Sequence, residues 1–349
     1  MCTAILSGCL GSPAKNKTPI SQTGFAFDTV ITITLYDNTN TAVLDHCLAL
    51  CEQYESLFSA TLEDSEVWQI NHAGGQPTAV SYDTASLIQA AQYYCAQTQG
   101  ILDLTLRPVA EEWQISEQMK QAASTTDYEF YIPSDKTLSD LLKHVNYKNV
   151  RITDAAGTEM NYDTTLSNDT KYFVSLADDQ SAIDLGFIAK GYVADHLKAY
   201  LLSEGVTSGI ISLGGNILLI GSKPNGAPFN VGIQKPFGAV SEVITTLQKS
   251  ETSVVSSGCY ERYFVLDDIK KDKTIYHHIF DATTGYPVQN DLLSVTILSD
   301  SSLEGDALST YCYILGLERG LAYIQSLETV DAIFVTKDYE VIPSYTVSK

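Results

Sequence analysis

Strand and helix patterns follow one another along this chain without the strand–helix–strand beat of a parallel sheet, and that narrows the fold more than any other feature. Residues 30–36 alternate β-branched and polar side chains, as a strand does. Residues 42–58 carry Val43, Leu44, Cys47, Leu50, Cys51 and Tyr54 at helical spacing. A short helical turn is expected at 65–71 before the Gly74-Gly75 break, and a second helix over 82–97 ending near Gly100. The stretch 127–169 reads as irregular with short hairpins such as 150–153. A helix at 188–203 leads into strands at 208–212 and 217–220 about the turn Gly214-Gly215-Asn216. Strands follow at 229–233, 240–247, 260–265, 293–298 and 332–336, with helices at 305–315 and 317–327 between the last two. Hairpin-rich strands mixed with helices mean α+β, with mixed or antiparallel sheets and flanking helices.

The 349 residues suffice for one large domain with a substantial core. Lys and Arg total 21 against 42 Asp and Glu, a net charge of -21. Such a surface repels nucleic acid and anionic lipid, which excludes DNA, RNA and polybasic membrane binding. A phosphate-bearing ligand would need a local positive charge, and a divalent cation is the natural source.

Leu6-Ser7-Gly8-Cys9 has the form of a bacterial lipoprotein cleavage box, with a polar tether from Gly11 to Ser21 behind it. Residues 1–21 are therefore expected to be a signal remnant and tether, and 22–349 the functional domain. Lipid on Cys9 would anchor that domain outside the cytoplasmic membrane. Only five residues, without Lys or Arg, precede the box, so a chance Cys in a tail stays open. The seven cysteines show no zinc-ribbon spacing; Cys47 and Cys51 read as an apolar helix face, and Cys259 as structural.

Four segments interrupt the apolar pattern with chemistry. Asp184 to Tyr192 runs carboxylate, Gly, helix start, which could dock an anion beside Lys190, or merely cap a helix. Asp306 and Thr310 lie four apart and share a helix face, suited to a hard cation such as Mg²⁺; first-turn dipole pairing and back-bonding by Thr310 explain them equally well. His277-His278 beside Asp281 and Thr284-Gly285 could hold a base or metal ligand, or a plain hairpin turn. Val255 to Tyr263 reads as a Ser/Gly loop running into a strand.

Taken in order and spacing, these segments resemble the FAD:protein FMN transferase (ApbE-like) family, together with Ala26 to Thr29, Ser65 to Asn71, Leu102 to Thr105 with Pro108 and Trp113, Leu213 to Asn216, and Val231 to Ile233 with Pro236. The likeness runs from about Gly24 to about Thr336. It implies FAD in a cleft between two subdomains, with Mg²⁺ held by Asp306, Thr310 and the backbone carbonyl of Phe187. It further implies FAD contacts from Phe27, Leu102, Asp103, Leu104, Asp184, Lys190, His278 and Ile279, with His278 and Asp306 catalytic. The implied reaction attaches FMN to a Thr or Ser of an exported acceptor protein and releases AMP. An FAD pyrophosphatase or a non-catalytic flavin-binding lipoprotein would use the same cleft. Phe187, Phe27, Cys259 and Ala282 depart from the family's usual residues, which touches substrate preference and the balance of transfer against hydrolysis.

Overall fold

A computed structural model describes residues 18–125, 127–239, 241–266 and 274–345; the cleavage box at Cys9 lies outside them. Its backbone is an eight-stranded sheet in the order Ile20–Ala26, Thr29–Leu35, Ser208–Leu213, Asn216–Gly221, Ser253–Gly258, Leu292–Ser299, Asp331–Thr336, Val341–Pro343. Every neighbouring pair is antiparallel. Residues 217–220 form an unbroken apolar run because both faces of the central strands are covered. Leu218 and Ile220 pack into a core shared with Val193 and Leu197 of the helix Ala189–Ser203 and Ala307 of the helix Ser302–Gln325. Leu219 faces the other way, onto Phe229, Val231 and Ile233 of a ribbon made by Phe229–Gln234 and Val243–Lys249. Each such fully buried Leu or Ile contributes on the order of 1.5–3 kcal/mol.

The first core continues without a break into a smaller three-stranded sheet, Thr78–Val80, Tyr172–Leu176 and Val150–Asp154, backed by the helix Tyr82–Gln97. A separate aromatic cluster joins this part to the ribbon of Tyr263–Leu266 and Thr274–His277. Trp113 lies at its centre, fully buried among Val109, Phe264 and Phe280, and its indole N–H donates to the Gly285 carbonyl at 2.7 Å. That bond ties the helix Arg107–Trp113 to the turn after His278.

The two helices behind the central strands cross at close quarters. A Cβ on Gly191 would lie 2.3 Å from the Ser302 carbonyl oxygen, so only glycine lets the backbones approach. Gly316, at φ +78°, breaks the second of these helices, at the point where the sequence pattern separates 305–315 from 317–327.

Four readings need correction. The tether ends earlier than its composition suggests, because Ile20 and Ser21 already pair with Leu35 and Thr34. Ser253–Gly258 is a central strand, although small hydroxyl residues gave it a loop's composition; its neighbours on both sides supply the ladder. The stretch 127–169 contains the helix Asp135–Leu141, capped by Ser134 accepting from the Thr137 N–H at 3.1 Å. The helices Arg107–Trp113 and Ile115–Ser124 were not anticipated, being short and joined at Gln114, which takes φ +47°.

Candidate active site

Two hairpin tips of the large sheet meet at one end of it. Phe27–Asp28 (φ +54° and +56°) and Gly214–Gly215 (φ +54° and +56°) are two-residue turns with left-handed φ throughout, the form that suits strand twist. Glycine adopts it freely; Phe27 and Asp28 do so at a cost of about 1–3 kcal/mol each. The Phe27 N–H is held by the Glu55 carboxylate at 2.7 Å. A Cβ on Gly214 would sit 2.0 Å from the Thr29 hydroxyl, so the two tips are packed against each other.

Behind the tips lies Asp306, 5% exposed, in the helix Ser302–Gln325. Gly191 is among the first residues of its own helix, where N–H groups lack a helical acceptor. Its N–H turns to Asp306 Oδ2 at 2.6 Å instead of to the carbonyl of Phe187. Asn216 Nδ2 donates to Oδ1 at 3.1 Å. Asn216 is held in turn by the Ser302 hydroxyl, which donates to its Oδ1 at 2.7 Å and accepts from Ser253 at 3.0 Å. Burial pushes the Asp306 carboxyl up, against the pull of Lys190 and these hydrogen bonds. Thr310, one turn on, bonds through its hydroxyl to Ser257 at 3.1 Å, and Ser257 also meets Ser309 at 2.8 Å.

Among the described residues no cluster of three or more His, Cys, Asp or Glu gathers to hold a metal. The donors expected from the sequence are of another kind: the Asp306 carboxylate and Thr310 hydroxyl stand one turn apart on a helix, and the Phe187 carbonyl does not receive the Gly191 N–H, which turns to Asp306. That hard, mostly neutral set fits a divalent cation that keeps water and ligand phosphate in its shell.

The two histidines have separate roles. His277 is 1% exposed, with Nε2 on the Val288 carbonyl at 2.8 Å and the Tyr313 hydroxyl at 3.3 Å, and burial lowers its pKa to about 4. It is a core residue, and it couples stability to pH. The unfolded imidazole, with a model value of 6.5, takes a proton that the folded one refuses until about 4. Stability is therefore full above the unfolded pKa and falls as pH drops through that window, by roughly 3 kcal/mol at most. Urea unfolding of His277→Gln between pH 7 and 4 is expected to show a correspondingly flatter profile than the parent; equal slopes would refute it.

His278 keeps partial solvent access while protein surrounds it. Its backbone N–H donates to the Arg262 carbonyl at 3.3 Å, and its ring Nδ1 lies 3.4 Å from the same oxygen. Burial, then the Arg262 guanidinium, then His277 and Lys190 depress its pKa to about 3, so the ring is neutral. Glu261, accessible yet hemmed in, has its carboxyl raised by burial and drawn back by Lys190 and Arg262. Lys190 thus acts electrostatically on Asp306, Glu261 and His278 together.

The remaining expected ligand contacts divide. Asp184 Oδ1 accepts from the Gly186 N–H at 2.8 Å, and Oδ2 pairs with Arg107 at 3.2 Å. The Asp184 N–H donates to the Leu104 carbonyl at 2.8 Å, which sets residues 102–105 beside it. Asp103 holds its own loop: Oδ1 takes the Thr105 N–H and hydroxyl, and Oδ2 the Tyr147 N–H at 2.9 Å. It also lines a cavity of about 430 Å³ with Tyr147, Lys148 and Ala282. The side chains of Leu102, Leu104 and Ile279, expected at the ligand, are buried in the cores instead. Phe187 packs half-buried on the first core, as Phe27 does.

Sequence reasoning assigned no role to Asn216, Arg262, Arg107 or Asn71. Asn71 clasps the Ile183 backbone with both amide atoms, at 2.9 and 2.7 Å, and so sets the segment leading to Asp184. Asn216 and Arg262 lay inside segments that had drawn attention, but a hydrogen bond across 90 residues has no local signature.

An α+β protein that gathers its buried carboxylate, two cations and a neutral imidazole where hairpin tips and a helix N-terminus meet has a site built for a charged ligand. The chain belongs to the ApbE family, whose model matches residues 27–334. An FAD:protein FMN transferase of Klebsiella pneumoniae (strain 342) is 33% identical over 315 residues, spanning 90% of this chain and 88% of that one. Another, from Treponema pallidum (strain Nichols), is 30% identical over 309 residues, with 86% and 78% covered. Among solved structures, the ApbE protein of Thermotoga maritima MSB8 superimposes with a TM-score of 0.77 at 28% identity, over 93% of this chain and 96% of that chain.

Proposed function

We propose that this chain is an FAD:protein FMN transferase that splits FAD and joins FMN to a Ser or Thr hydroxyl of an acceptor protein. The supporting observation is that Lys190 lies near enough to act on both Asp306 and His278, the three residues being drawn from distant segments. FAD's phosphates would lie near Lys190 at the N-terminus of the helix Ala189–Ser203, where the dipole favours negative charge. Asp306, Thr310 and the Phe187 carbonyl would hold Mg²⁺, which when bound would supply charge neutralisation at those phosphates.

His278 takes the proton of the acceptor hydroxyl. The hydroxyl oxygen bonds to the flavin-side phosphorus, the bond from that phosphorus to the bridging oxygen breaks, and AMP departs with the electron pair. Burial chiefly holds His278 down, and arriving phosphates would offset only the added part that comes from the Arg262 and Lys190 charges. The Leu6-Ser7-Gly8-Cys9 box supports an extracytoplasmic enzyme tethered by lipid on Cys9, acting on exported flavoproteins.

Incubation with FAD, MgCl₂ and a flavoprotein acceptor domain tests the reading. A fluorescent acceptor band with one FMN added by mass, and AMP in equal amount, is expected. FMN and AMP without a labelled protein would make the chain a pyrophosphatase, and intact FAD would sink both activities.

A further inference from the structure

We infer that the Arg262 guanidinium is a phosphate-binding group of this site and that Asp28 is a resident anion which FAD displaces from it. This rests on the transferase reading and adds a residue to it. The Arg262 backbone carbonyl accepts from the His278 backbone N–H with N···O 3.3 Å, which sets the two residues side by side. The Arg262 charge reaches His278 and Glu261.

The ion pair Arg262 makes is a loose one. NH2 lies 3.6 Å from Asp28 Oδ2, with the side chains 43% and 78% exposed. Charge-assisted hydrogen bonds close to about 2.7–2.9 Å. Arg107, by contrast, is taken up by Glu111 at 2.7 Å and Asp184 at 3.2 Å. A long contact between exposed groups is screened and readily exchanged. A phosphate offers the guanidinium paired oxygens at short range, which a carboxylate held back on a hairpin tip does not. Asp28 stands beside Phe27 on that tip, the residue expected to touch the flavin, so ligand entry brings phosphate to the place where the carboxylate now stands.

The alternative is that Asp28 and Arg262 form a clasp fastening the hairpin tip to the site. The two accounts differ in sign at Asp28. Asn suits the φ of +56° there, so Asp28→Asn removes charge without straining the turn. Affinity for FAD, read by flavin fluorescence with MgCl₂ present, is expected to fall at least about tenfold in Arg262→Gln, to be partly restored in Arg262→Lys, and to rise about two- to fivefold in Asp28→Asn. Riboflavin, which lacks phosphate, is expected to bind all four proteins alike. Parallel losses for FAD and riboflavin in both Arg262→Gln and Asp28→Asn would establish the clasp and overturn the inference. Should Arg262→Gln fail to fold by thermal melting, Asp28→Asn decides alone. A parent protein that binds no FAD defeats the transferase reading itself, whereas unchanged FAD affinity in Arg262→Gln removes only this residue.

Discussion

Asp306→Asn is expected to lower flavin transfer by about three orders of magnitude, near 4 kcal/mol of activation free energy, while the folded protein melts no lower than the parent. The two halves of that result come from one fact. The carboxylate is buried, and burial raises its pKa above that of the unfolded chain. Above the folded pKa the native state bears the cost of an ionised buried acid, which is relieved as pH falls, so a neutral amide of the same shape removes a burden. Its Oδ1 can still accept from the Gly191 N–H, now at 2.6 Å, and Asn216 can turn its amide to complement the new donor. What the amide lacks is charge for a cation. Alanine is the poorer probe, because it strands the Gly191 and Asn216 donors at about 1–3 kcal/mol each. Turnover and melting curves on one preparation settle the matter; transfer within tenfold of the parent would remove Asp306 from the mechanism.

The second large effect belongs to His278. Its replacement by Gln is expected to cost about 10²–10⁴ in kcat, the usual worth of a general base, with FAD affinity changed less than about threefold. Gln keeps an amide within reach of the Arg262 carbonyl, now 3.4 Å from the ring Nδ1, but offers nothing to take a proton. The informative comparison is kcat against KM. A loss carried wholly by KM for FAD would make His278 a binding group, and the proton would need another acceptor.

The architecture was legible in the sequence where pattern is local. The helices Thr41–Phe58 and Tyr82–Gln97 fall where their apolar spacing put them, and the split at Gly316 was audible in one residue. The α+β class followed from the missing parallel rhythm. Legibility failed wherever a partner remote in sequence does the work. Ser253–Gly258 is a strand because two neighbours make it one, and Ile20 belongs to the sheet because Leu35 lies opposite. The site divides in the same manner. Asp306, Lys190 and His278 stood out as charged or polar interruptions of apolar runs. The Asn216–Ser302–Ser253 chain that orients Asp306, and the cross-tip contact of Asp28 with Arg262, needed folded coordinates.

The hydrogen bond from Gly191 to Asp306 spans 115 positions of the chain, and it closes only after the helix Ser302–Gln325 has been made. A polypeptide still emerging from the ribosome can carry its lysine and its imidazole for a long time without owning a reaction centre. The hydrogen bonding around Lys190 and Gly191 is therefore completed only once residue 306 has been made and has folded back on the earlier helix.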